Sequence, residues 1–292
     1  MNRIKGILYA AVSSSTFGLA SFFSITLLLA GFSAFEVLSY RWGVASIVLI
    51  VFGWLSGCNF RLAGKDWGVV FLLSLLRAVT SFSLIIAYQN IASGVASTIH
   101  FMYPLAVALV MMFFFREKKS LLVILAVLMS LLGAALLSLG ELEAKSGNTM
   151  VGLVAACVSV FSYAGYIVGV RTTRAVQINS TVLTCYVMGL GTIFYLIGAY
   201  CTSGLQLVSD GYTWLIILGL ALPATAISNI TLVQAIKYAG PTLTSILGAM
   251  EPLTAVVIGV FVFKELFTVN SAVGIILILL AVSIVVFRRQ KS

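Results

Sequence analysis

Apolar residues run in stretches of about twenty along almost the whole chain, and the short polar clusters between them recur at similar spacing. The apolar stretches cover 5–30, 33–56, 67–89, 93–115, 121–140, 149–170, 179–202, 212–236, 241–263 and 269–287. A helix needs about 20 residues to cross a hydrocarbon core of about 30 Å, so this pattern predicts ten membrane-spanning helices. Continuous runs, with no period-two alternation, exclude a membrane β-barrel. The breaks carry helix-ending residues: Gly31 and Ser33, Gly57 to Asp66, Ser93 and Gly94, Arg116 to Ser120, Gly240 and Pro241. No break is long enough for a soluble domain. The basic start at Arg3 and Lys5 looks like a signal n-region, but the following run has no cleavage pattern and reads as a retained first span.

Composition agrees with that reading. The 292 residues are 61% hydrophobic and 9% charged, where a soluble globule would carry about 25% charged residues. The net charge of +9 comes from short loops. With the N-terminus inside, thirteen of the 17 Lys and Arg fall on the cytoplasmic side, Lys145 and Lys264 fall outside, and Arg41 and Arg77 lie within spans. The excess therefore sets orientation by the positive-inside rule and places both termini in the cytoplasm. It does not form the clustered basic face that a nucleic-acid partner would require. Cys58, Cys157, Cys185 and Cys201 have no paired spacing, and they read as small apolar side chains.

The chain also contains itself twice. Residues 87–117 align without gaps on 235–265, with eight of 31 positions identical, and Pro104 falls on Pro252 and Glu117 on Glu265. Four prolines and eight acids in the whole chain make those matches informative. Upstream, residues 6–17 align on 152–163. The expected division is 1–145 and 146–292. Because five spans is an odd number, the second copy enters from the opposite face, which makes the halves inverted repeats with a site between them.

Two five-span halves, each with Pro-Leu in its fourth span followed by a basic residue and Glu, resemble the EamA-type transporters of the drug/metabolite transporter superfamily. The second half carries the closest likeness, in AIKYAGPT at 235–242, MEPLTA at 250–255, Lys264 and Glu265, and Gly274. The resemblance implies an all-α membrane protein of the EamA-like fold: a cytoplasmic-membrane carrier, expected in a bacterial inner membrane. Its central cavity would be lined by spans 1, 3, 4, 6, 8 and 9, with spans 5 and 10 at a homodimer contact. Cargo in such proteins ranges over amino acids, cationic drugs, sugars, nucleotide sugars and choline. His100 and Tyr103 depart from the small residues that many members have before the first proline.

Ionisable side chains at membrane depth cost about 2.5 to 3.5 kcal/mol on insertion scales and are candidate functional groups by default. Arg77 sits roughly 16 Å into the third span at about 1.5 Å per residue, and Glu251 sits at similar depth in the ninth. They suggest either a mutual ion pair or a site for a zwitterion. His100, the single histidine, shares a helix face with Ser97 and Tyr103, and either exchanges protons or is a satisfied buried imidazole. Arg41 lies near the outer end of its span, where it can reach the centre or snorkel outward beside Glu36; snorkelling is the expectation. Phe17 and Tyr163 occupy equivalent repeat positions, and with Tyr88, Tyr103 and Glu251 they could cage a cation. Asn229 and Thr225 are candidate lining residues of the eighth span, or they hydrogen-bond between helices. Gly165 and Gly169 form a G-x-x-x-G match.

The rival classes lack their chemistry in this sequence. There is no H-E-x-x-H and only one histidine, so no metal or cofactor is expected and an enzyme is not. A Walker A motif is absent, and rings of carbonyls or carboxylates are not evident. The expectation is a secondary carrier that exports a small metabolite, an amino acid or organic cation, by alternating access. Import of a choline- or sugar-like nutrient and a non-transporting scaffold or receptor are the alternatives.

Overall fold

A computed structural model describes residues 2–91, 93–117, 121–138, 147–202, 204–251, 253–254 and 268–288. Pro252, Lys145, Lys264 and Glu265, and with them the end of the second repeat motif, lie outside the described residues. The described residues are helical in α1 (Asn2–Phe17), α2 (Leu19–Leu29), α3 (Ala34–Leu55), α4 (Trp67–Asn90), α5 (Ser93–His100), α6 (Tyr103–Phe113) and α7 (Leu121–Ser138). The second half supplies α8 (Thr149–Thr172), α9 (Ser180–Thr202), α10 (Gly211–Ala221), α11 (Ser228–Ala239), α12 (Pro241–Leu247) and α13 (Val269–Arg288). Among the described residues, six helical stretches are long and apolar enough to cross a membrane: 4–29, 34–55, 64–90, 149–172, 180–202 and 211–239. Tyr103–Phe113, Leu121–Gly133 and Ala272–Ile284 are shorter apolar helices.

Helix starts follow the local sequence. Ser33 accepts from Glu36 N at 3.3 Å while Glu36 Oε2 accepts from Ser33 N at 2.8 Å, a capping box that opens α3. Asn148 caps α8 by accepting from Met150 N and Val151 N, and Asp210 caps α10 by accepting from Thr213 N.

Four predicted spans are interrupted near their middles, the ninth among them after α12, at Gly248 and Ala249. The fourth is two helices: α5 ends at His100 and α6 begins at Tyr103. Pro104 explains the break, because it has no N–H to offer the His100 carbonyl and its ring crowds that carbonyl. In the first span α1 meets α2 at Gly18. In the eighth, α10 and α11 are joined by a π-helical turn, Leu222–Ile227, which contains Pro223.

The halves pack by exchange. Helix α1 packs on α11, α4 on α8, α3 on α9, α6 on α12 and α7 on α13. Swapping equivalent helices of the two halves turns the first pairing into the second and returns the α3–α9 and α7–α13 pairings to themselves. Such a closed set is what a pseudo-two-fold relation between repeats produces. Small residues bring these pairs close: a side chain at Gly133 would meet the Gly274 carbonyl at 2.7 Å, and one at Gly169 would meet Leu73 at 2.8 Å. Gly165, the other half of the expected motif, leaves ordinary contact distance to Leu76.

Polarity is inside out relative to a soluble protein. Large apolar side chains such as Ile50, Phe52, Trp54, Phe71, Leu121, Phe161 and Leu215 are exposed along the outer faces. Ser74, Arg77, Thr80, Ser81, His100, Ser159, Thr225, Ser228 and Asn229 are buried. Helices with apolar outer surfaces and a polar middle fit a lipid environment, where polar groups turn inward.

Candidate functional site

The interrupted helices meet around two arginines. Arg77 on α4 is 1% exposed and Arg41 on α3 is 4% exposed. Arg77 Nε donates to Asn229 Oδ1 at 3.1 Å, and Asn229 Nδ2 donates to the Thr225 carbonyl at 2.7 Å, which fixes the orientation of the amide. Arg41 Nε donates to Thr225 Oγ1 at 2.6 Å, and Thr225 Oγ1 in turn donates to the Leu220 carbonyl at 2.7 Å. A long contact of 3.5 Å joins Arg41 Nη2 to the Ala224 carbonyl. The π turn does this positioning, since its extra residue brings Thr225 and Ala224 toward α3 and Asn229 toward α4.

Aromatic rings cover the guanidinium groups. The Phe17 ring lies 5.5 Å from Arg41 Cζ and 5.3 Å from Arg77 Cζ. Tyr163 lies 4.9 Å and Tyr166 5.8 Å from Arg77 Cζ. Phe17 and Tyr163 do face a cation, as the repeat equivalence suggests, but that cation is the protein's own Arg77. The expected cage for a bound cation is therefore already filled.

His100 stands beside this pair. Its ring stacks on Tyr163 with centroids 5.4 Å apart, and Tyr103 closes the cluster at 5.4 Å from His100 and 4.6 Å from Tyr163. Ser159 Oγ donates to the Ala156 carbonyl at 2.6 Å, so its 2.8 Å bond with His100 Nδ1 uses the imidazole N–H as donor. Nε2 is then a bare acceptor, and among the described residues it is buried without a partner. The Tyr166 hydroxyl is likewise buried and without a partner among the described residues. Orphaned buried polar atoms are uncommon and call for an explanation.

Glu251 completes the group at the interruption after α12. It is part-buried, and its carboxyl lies in the field of both Arg77 and Arg41. The expected mutual ion pair of Arg77 and Glu251 is not formed: among the described residues the one ion pair is Arg174 with Asp66, at 2.8 Å. A side chain at Gly18 would meet the Glu251 carbonyl at 2.7 Å, so the breaks of the first and ninth spans touch.

Of the expected site residues, Arg77, Asn229, Phe17, Tyr163, Tyr103, His100 and Glu251 come together. Tyr88 turns its hydroxyl to Ser97 Oγ at 3.3 Å on α5. Arg41 departs from the expected snorkelling: the Glu36 carboxylate is occupied by the N–H groups of Ser33 and Gln206, and Arg41 turns inward. Tyr166 and Ser159 escaped sequence reasoning, although their spacing from Tyr163, i+3 and i−4, puts them on its helix face. Among the described residues no three His, Cys, Asp or Glu side chains gather to hold a metal.

The EamA-like transporter family profile matches residues 4–139 and again 150–287. The chain belongs to the EamA-like transporter family. It is a multi-pass membrane protein of a family of small-solute transporters, and the two matches are its two repeats. One solved structure, described as "Crystal structure of protein", matches with a TM-score of 0.81 at 18% identity. The match covers 100% of this chain and 99% of that one, and at such identity it shows a shared fold. No curated protein matches the chain.

Proposed function

We propose that this EamA-like protein is a secondary active carrier that moves a small metabolite through the Arg41, Arg77 and Glu251 centre by alternating access. One observation carries the reading: a charged, partly unsatisfied polar centre lies buried where interrupted helices of both repeats meet. Interrupted helices at mid-depth are where carriers with repeats hold their substrates, because freed backbone groups and half-helix ends can be used there. Ten spans arranged as two inverted five-span repeats, with both termini cytoplasmic, give each half the same rocking element. The thirteen-to-two basic asymmetry and the exchange-symmetric packing support that arrangement. Export across a bacterial inner membrane, driven by an ion or solute gradient, is the direction this reading adopts.

The test is flux. Purified protein is sealed into vesicles loaded with a defined mixture of amino acids, organic acids, amines and sugars, and solutes released over time are quantified by mass spectrometry. Protein-dependent release of one chemical class is expected, with reversed gradients reporting direction. Release no faster than from protein-free vesicles, in either direction, would contradict the carrier reading.

A further inference from the structure

We infer that the substrate of this site is a small organic monoanion whose carboxylate is held by the Nη ends of Arg41 and Arg77. This rests on the carrier reading for the site's role, and names the chemistry that the site selects.

Charge counting leads to it. Arginine stays protonated in proteins, so Arg41 and Arg77 contribute two positive charges whatever their surroundings. Glu251 supplies at most one negative charge, the tyrosines supply none while protonated, and His100 can only add to the positive side. Among the described residues, the centre therefore carries at least one uncompensated positive charge in every protonation state of Glu251. A buried unpaired charge is expensive, and a monoanion would neutralise this one.

Geometry points the same way. Each guanidinium is anchored through Nε, Arg77 to Asn229 and Arg41 to Thr225. Among the described residues, no hydrogen bond engages either Nη of Arg77, and Arg41 adds only the 3.5 Å contact of Nη2. Two guanidinium groups held at the root, with their forks free and one phenyl ring against both, suit a planar carboxylate. A cationic cargo would find the faces of Phe17 and Tyr163 already taken by Arg77 and would add to the positive charge. The unpartnered His100 Nε2 offers an acceptor to a hydroxyl or N–H on the same molecule. A dianion fits less well, because Glu251 shares the field of both arginines.

The experiment is ligand-dependent thermal unfolding of the full-length protein in detergent, at constant ionic strength. The probes are pyruvate, lactate, benzoate and phenylacetate, each paired with its isosteric amide, together with benzylamine and inorganic phosphate. At least one carboxylate should bind about tenfold or more tighter than its amide, because the amide leaves the arginine forks without a charged acceptor. Arg41→Gln should weaken that binding about tenfold or more. Arg41→Lys, which keeps the charge and loses the fork, should weaken it by less and serves if the glutamine variant does not fold. Equal binding of acid and amide, preference for benzylamine or phosphate, no binding by any of the four acids, or unchanged affinity in folded Arg41→Gln would overturn the inference. Carboxylate binding without flux would leave the anion site standing and remove the carrier reading; flux of neutral or cationic solutes without carboxylate binding would do the reverse.

Discussion

The Tyr103 hydroxyl occupies the space that a side chain at Gly248 would need, so the break in the first half's fourth span presses on the corresponding break in the second. By the repeat alignment Gly248 is the counterpart of His100, and Glu251 is that of Tyr103. The two breaks are thus equivalent places with different chemistry, one aromatic and one acidic, locked together by the smallness of Gly248.

That contact gives a direct test. Gly248→Ala should lower the thermal midpoint by the equivalent of about 1 to 3 kcal/mol through overpacking. Tyr103→Phe in the same background removes the hydroxyl and should restore part of the loss, leaving the remainder to the Ser245 carbonyl, which would sit 2.8 Å from the new methyl. Additive effects of the two substitutions would show that the residues do not press on each other.

Orientation is tested by cysteine labelling in a background without the four native cysteines. Ser209→Cys, just before the Asp210 cap, should react with an impermeant maleimide added to intact cells. Ala63→Cys, in the loop between α3 and α4, should react only after permeabilisation. The opposite pattern would reverse the assigned sides.

Glu251→Gln keeps the size of the side chain and removes its charge. Folding and midpoint should be nearly unchanged, while gradient-driven accumulation in sealed vesicles should fall to the level of passive exchange. Full accumulation by this variant would remove Glu251 from energy coupling.

How much of this was legible in the sequence depends on the range of the interaction. The six long apolar helices were legible because each is a property of about twenty consecutive residues, and the fourth span's interruption had its cause in view at Pro104. Arg77 and Glu251 could be placed at one depth by counting along helices, and the repeat alignment paired Phe17 with Tyr163. The partners were not legible, because they come from helix packing. Asn229 meets Arg77 across 152 positions, and Thr225 meets Arg41 across 184. Arg41 is the clearest case: position alone favours the span end, yet the π turn offers acceptors inward and Glu36 is already occupied by backbone N–H groups.

At the opposite edge of the fold, pH provides a local check. The hydrogen bond from Thr213 N to the Asp210 carboxylate holds that group below its ordinary value. A lowered folded-state value means that the cap's contribution is fully present above the unfolded value, about 3.9, and is lost as the pH falls through the folded one. The midpoint difference between wild type and Asp210→Ala should therefore be constant around neutrality and shrink only at strongly acidic pH. A difference that shrinks near pH 7 would point to another group.

The account turns on whether the two-arginine centre opens to each side of the membrane in turn, and this can be measured without knowing the substrate. Phe17→Cys places a thiol between Arg41 and Arg77, in a background without the native cysteines. Vesicles of known sidedness are treated with an impermeant methanethiosulfonate anion, matched to the positive centre, from one face or from the other. Alternating access predicts modification from both faces, each slowed when carboxylate ligand is present, with no continuous leak of the reagent across the membrane. Modification from one face only, or from neither, would contradict it.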